Sequence, residues 1–271
     1  MIELFEHTFM QYALLGGLLI SIAAGIIGTL VVIQRRVFIA GGIAHSAYGG
    51  VGIAYFLGAS PILGALFFSL GAGLFMGFIE RRSRQRVDTI IGVMWALGMA
   101  IGILFIDLTK GYVVDLMSFL FGSIVAISPF DIALIVFVDL FVVFLVAVLY
   151  KDILAYSFDP EFSELMDRKS KVLLYIMMVL MSLAVVVMIR LVGVILVIAL
   201  LTIPASIAEQ FVQKLKPLMI VSILLSVLFI TVGLVLSYYL NVTAGALIVL
   251  IAGAFYLFSL LLRQVIKTRS A

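Results

Sequence analysis

Between its charged clusters the chain repeats one pattern, an apolar run close to the ~20 residues that a helix needs to cross a bilayer. The runs fall at 12–33, 38–57, 62–79, 89–106, 131–150, 172–189, 191–211, 218–240 and 244–262. A chain so divided has little choice but to fold as a polytopic bundle of membrane helices. Nine crossings result if every run is counted. Eight result if the two that meet at Arg190 with almost no loop are one long broken helix, and the sequence leaves both open.

Composition agrees: 65% of residues are hydrophobic and 11% charged, where a soluble domain is only about half apolar. The runs mix Leu, Ile, Val, Gly and Ala without the dyad alternation of a transmembrane β-barrel, so the expected class is all-α. There is no cysteine, hence neither a disulfide nor a thiolate metal ligand. The first run follows Glu3 and Glu6 rather than a basic stretch, which argues against a removable signal peptide. No internal repeat or low-complexity tract divides residues 1–271, which read as a single transmembrane domain.

With nine crossings, all but two of the 17 lysines and arginines fall on one side, the exceptions being Lys110 and Arg190. By the positive-inside rule that side is the cytoplasm, with the C-terminus inside and the N-terminus outside. Gly73 and Gly77, and again Gly98 and Gly102, have the four-residue spacing that lets helix backbones approach closely in lipid; contact within the chain is the simpler use, a dimer seam the alternative. Residues 112–127, with Asp115, Ser118, Gly122 and Ser123, are too short and polar to span. An outer re-entrant or interfacial helix is expected there.

The longest polar interval, 157–171, lies between two runs on the cytoplasmic side. Asp159 suits an N-cap, Pro160 the first helical position and Glu161 the first turn, where the helix dipole favours an anion. Phe162, Leu165 and Met166 then share one face. A short helix at about 159–168 with apolar teeth is therefore expected to meet either a partner protein or lipid headgroups. No G-x-x-x-x-G-K-[ST] run exists, so ATP-driven work would have to come from another subunit.

His45 lies several residues inside a run and among glycines, a depth at which an ionisable side chain marks a functional candidate. Neutral imidazole suits borderline transition metals, although a histidine so placed can equally be a hydrogen-bonding partner of a neighbouring helix. Asp139, in mid-run, is either a structural hydrogen-bonding group or part of a pathway. Asp107 and Asp115 are expected near the outer face, and Glu209 is expected to be a helix-end charge. Pro204 frees a backbone carbonyl, with Thr202 and Ser206 able to compensate; the helix there should break or bend, exposing oxygens along a pathway or merely curving.

Several stretches in one order carry a family resemblance: Arg35-Arg36 leading to His45-Ser46-Ala47, then Val87-Asp88-Thr89-Ile90-Ile91-Gly92, and Val114-Asp115-Leu116-Met117-Ser118. Phe158-Asp159-Pro160-Glu161-Phe162 follows, and finally Arg190-Leu191-Val192-Gly193 with Pro204-Ala205. Nearly the whole chain resembles the membrane subunits of zinc, manganese and iron ABC importers. The resemblance implies the fold of a type II importer, like that of the vitamin B12 importer. It also implies a homodimer with the path on its two-fold axis, two ATP-binding subunits on the cytoplasmic side, and a metal-binding protein outside. The setting would be the cytoplasmic (inner) membrane of a prokaryote, with lipid around the chain and no nucleic acid partner.

By the same resemblance, Asp159, Pro160, Glu161 and Phe162, continued by Leu165 and Met166, correspond to the coupling helix that sits on the ATPase. His45 corresponds to a histidine of the metal pathway. The family more usually has Asp one turn before that histidine; here the position is Gly41. The expected function is thus a permease subunit, not an enzyme, that passes a divalent metal, zinc or manganese, past His45 with Asp139 and Asp115 as further candidates. It would hold no permanent cofactor, and ATP would sit on the partner. A secondary transporter using Asp139 and His45 as a titrating pair is the rival. A membrane metallohydrolase would need a metal cage and a general base, and no His-x-x-x-His pair occurs.

Overall fold

The computed structural model describes residues 8–82, 87–109, 116–122, 127–159, 163 and 169–269. Helices form wherever the apolar runs leave the backbone no water to bond, since a helix satisfies its own N–H and C=O groups. They are α1 (Thr8–Ile33), α2 (Val37–Phe56), α3 (Pro61–Arg82), α4 (Val87–Asp107), α5 (Leu116–Phe121), α6 (Pro129–Val148), α7 (Tyr150–Phe158), α8 (Lys169–Val192), α9 (Val194–Phe211), α10 (Leu215–Leu240) and α11 (Ala244–Arg269). Among the described residues, nine are long and apolar enough to cross a membrane; α5 and α7 are not.

The helices sort into two groups. α2 packs against α3 and α4, whereas α1 packs against α10, α9 and α6 and has little contact with α2 although the two are consecutive. α8 touches members of both groups, α3 and α2 on one side and α1 on the other. α1, α2 and α8 are accordingly the most enclosed helices, and α4 and α11 show much of their surface to the surroundings.

Small residues set these distances. A Cβ on Gly50 of α2 would stand 2.1 Å from the Gly64 carbonyl oxygen of α3, and one on Gly64 would stand 2.2 Å from that of Gly50. Only two facing glycines allow that approach. The Gly73/Gly77 and Gly98/Gly102 pairs likewise face the chain's own residues, Ser182 and Met178 for the first, Ser46 and Tyr48 for the second. The spacing serves contact within the chain.

At the doubtful junction the two runs are separate helices, and the break is at Gly193 rather than Arg190. Gly193 has φ +81 and faces the Leu120 carbonyl oxygen, 2.3 Å from where its Cβ would stand; Gly122, with φ +78, returns the contact to Leu191. Two left-handed glycines thus let the end of α5 cross the α8–α9 turn backbone to backbone. Pro204 does not break its helix: α9 runs uninterrupted through it. A proline costs one backbone hydrogen bond, and buried neighbours Leu200, Leu201 and Ala205 hold the helix in register, while Thr202 Oγ1 donates back to the Ile198 carbonyl at 2.8 Å.

The 131–150 run also differs from expectation. It ends at Val148, and after a turn at Leu149 the chain enters α7, whose Ile153, Tyr156 and Ser157 are buried. Asp115, Pro160, Glu161, Phe162, Leu165 and Met166 lie outside the described residues.

Candidate functional site

At the end of α1 the chain reverses within three residues. Arg36 N–H donates to the Val31 carbonyl at 2.9 Å and Arg35 N–H to that of Val32 at 3.0 Å, with Arg35 at φ +56. That is a Schellman closure, a motif that ordinarily places glycine where Arg35 stands. Its consequence is to deliver Arg36, 6% exposed, beneath the bundle.

Arg36 gathers three partners there. Its Nε and Nη2 donate to Glu80 Oε1 of α3 at 3.1 and 2.8 Å, and Nη2 also donates to the Tyr156 hydroxyl of α7 at 2.9 Å. Nη1 donates to Gln34 Oε1, and Gln34 Nε2 passes the chain on to Ser157 Oγ at 2.9 Å. One guanidinium therefore fastens the α1–α2 turn and the end of α3 to the last turn of α7. Two residues beyond Ser157, the Asp159 carbonyl accepts from Ser163 N–H at 3.0 Å.

His45 is nine residues along α2 from Arg36, about 13.5 Å at the helical rise. Its Nδ1 donates to the Gly41 carbonyl at 3.0 Å, which leaves Nε2 as the nitrogen with a free lone pair. Trp95 of α4 lies on the ring, centroids 3.8 Å apart. Gly98 makes this possible, since a Cβ there would be 2.5 Å from the Ser46 Cα; Trp95, one turn earlier, is drawn over the imidazole.

Asp139 is buried on α6 and faces α1 at the backbone of Ala23, and neither of its oxygens has a hydrogen bond of good geometry. The structure does not bring it to His45. Among the described residues no three His, Asp or Glu side chains gather as a metal cage. Glu209 is exposed at the end of α9, as a helix-end charge should be.

The opposite end of the bundle has its own ion pair. Arg190 Nε and Nη2 donate to Asp131 Oδ1 and Oδ2, both at 3.0 Å, and Arg190 Cζ stands 5.7 Å over the Phe119 ring of α5. Asp131 is also the third residue of a capping box with Ser128 that starts α6. The basic residue at this end is thus neutralised where it stands. Sequence reasoning missed both Arg36 and Asp131 as organising residues; the one signal available was a charge immediately beside an apolar run.

The family model described as ABC 3 transport family matches residues 6–263. An uncharacterized membrane protein of Synechocystis sp. is 46% identical over 264 residues, 97% of this chain and 94% of that one. The manganese transport system membrane protein MntC of Listeria monocytogenes is 33% identical, with 92% of this chain and 89% of that one covered. Among solved structures, PsaBC from Streptococcus pneumoniae in complex with Fab superimposes with a TM-score of 0.85 at 31% identity, covering 94% of this chain and 92% of that one.

Proposed function

The chain belongs to the ABC 3 transport family, and on that premise we propose that it carries a divalent metal ion, manganese or zinc, through the cytoplasmic membrane of a prokaryote. The observation that carries this reading is the near full-length likeness to a manganese transport membrane protein. The chain has no phosphate-binding loop of its own; two ATP-binding subunits beneath a homodimer supply the energy, and a metal-binding protein supplies the ion from outside. The C-terminus and the 157–171 interval face the cytoplasm.

In this arrangement the segment 159–166 sits on the ATPase through Phe162, Leu165 and Met166. Its displacement reaches the spans through α7, because Tyr156 and Ser157 are held by Arg36 and Gln34. Arg36 immediately precedes α2, the helix that carries His45, so the hub that holds α7 and the ligand ride on one helix. His45 Nε2 makes a single, labile contact with the passing ion, and two protomers about a two-fold axis would present two. Asp139 and Asp115 are weaker candidates for the same path.

Co-purification with the ATP-binding subunit tests the lever. Phe162→Asp puts a charge where an apolar anchor should seat, and the complex should weaken by at least about tenfold. An undiminished complex with metal-stimulated ATP hydrolysis intact would remove 159–166 from the interface.

A further inference from the structure

We propose that Trp95 determines which ion this permease accepts, by filling the volume that an oxygen ligand one turn before His45 would need. The inference rests on the permease reading above and narrows its substrate to the zinc class of borderline cations, against manganese.

Position 41 is one helical turn before His45 on the same face of α2. A Cβ added at Gly41 would lie 3.1 Å from Trp95 Cζ3 and 2.8 Å from Ile198 Cδ1. An aspartate there would have to displace the end of Ile198 and press the Trp95 ring back by a few tenths of an ångström. The oxygens close by in sequence are neutral rather than carboxylate: the Gly41 carbonyl accepts from Nδ1, and Ser46 Oγ donates to the Met94 carbonyl at 3.4 Å. Among the described residues no carboxylate hydrogen-bonds to His45, and none joins it in a metal-binding group. What remains is imidazole Nε2 beneath an indole.

Donor type then decides between ions. Imidazole suits zinc, iron and nickel, whereas carboxylate and other oxygen donors suit manganese, which also stands lowest in the affinity order for divalent ions at nitrogen sites. The indole adds to this. A cation on Nε2 makes the imidazole more positive, and the electron-rich face of Trp95 at 3.8 Å stabilises that state. Trp95 therefore excludes the oxygen ligand and supports the nitrogen one.

Trp95 is also the chain's only tryptophan, so its emission reports directly on His45. Two measurements suffice: tryptophan emission of the full chain in nanodiscs during titration with zinc or manganese chloride, and competitive uptake of the two ions by vesicles holding the complete transporter. Zinc should perturb emission at about tenfold lower concentration than manganese, and His45→Ala should abolish the response. The double variant Trp95→Ala/Gly41→Asp should lower the zinc-to-manganese uptake ratio by about tenfold or more, and Trp95→Phe should keep it near that of the unmodified chain.

Equal emission responses to the two ions, or an unchanged uptake ratio in the double variant, would overturn the assignment. Should the double variant not assemble, the emission titration of the unmodified chain decides by itself. Unmodified vesicles that take up neither ion, with the zinc preference in emission intact, would overturn the transport reading and uphold the selectivity of the site.

Discussion

Arg190→Met is expected to destabilise the folded chain by roughly 3–5 kcal/mol, the cost of removing one partner from a buried ion pair. Asp131 is 1% exposed, and the guanidinium takes both of its oxygens at 3.0 Å. Without Arg190 the carboxylate keeps only the Ser128 N–H and hydroxyl, each at 2.8 Å to Oδ2. Enclosed by protein, the remaining charge is poorly solvated. Adding Asp131→Leu to Arg190→Met removes the stranded charge and should restore most of the loss, short of about 1 kcal/mol for the broken capping box. Thermal unfolding in detergent reads both steps. A single variant that unfolds with the unmodified chain would mean the pair contributes nothing.

Arg36→Met should uncouple the protein without dissolving it. The substitution keeps much of the stem's apolar volume and deletes the donors that join Gln34, Glu80 and Tyr156. Metal uptake by the complete transporter should fall by at least about tenfold, because α7 would no longer be fastened to the turn that leads into α2, while the ATP-binding subunit should still co-purify. Hydrolysis should continue but lose its response to metal. Arg36→Lys should be intermediate, since a point charge can meet Glu80 but cannot fork to Tyr156 and Gln34 as well. If Arg36→Met transports normally, the hub is packing and the path of coupling lies elsewhere.

How much of this was legible in the sequence varies with the range of the interaction. The spans were, because apolar length between charges is a local property. His45 was, because an ionisable side chain among glycines and alanines is conspicuous wherever it occurs. The break before α9 was misplaced by three residues because Arg190 looked like a helix end. In fact its charge is cancelled by Asp131, 59 positions earlier in the chain, and the turn belongs to Gly193, which hides among apolar neighbours. Pro204 taught the converse: a local rule for breaking helices yielded to buried packing on both sides of it. The Arg36 hub joins residues 44 and 120 positions apart, and the Trp95 stack depends on Gly98 admitting α4 to α2. Neither has a signature in one stretch of chain.

Uptake into sealed vesicles is the most direct test of the claim that this chain is a conduit driven from outside itself. Vesicles carrying the chain, its ATP-binding subunit and the metal-loaded donor protein should accumulate zinc or manganese only when ATP is present on the side of the ATP-binding subunit. Leaving out that subunit should abolish accumulation. Accumulation by the chain alone, driven by an ion or proton gradient, would contradict the account.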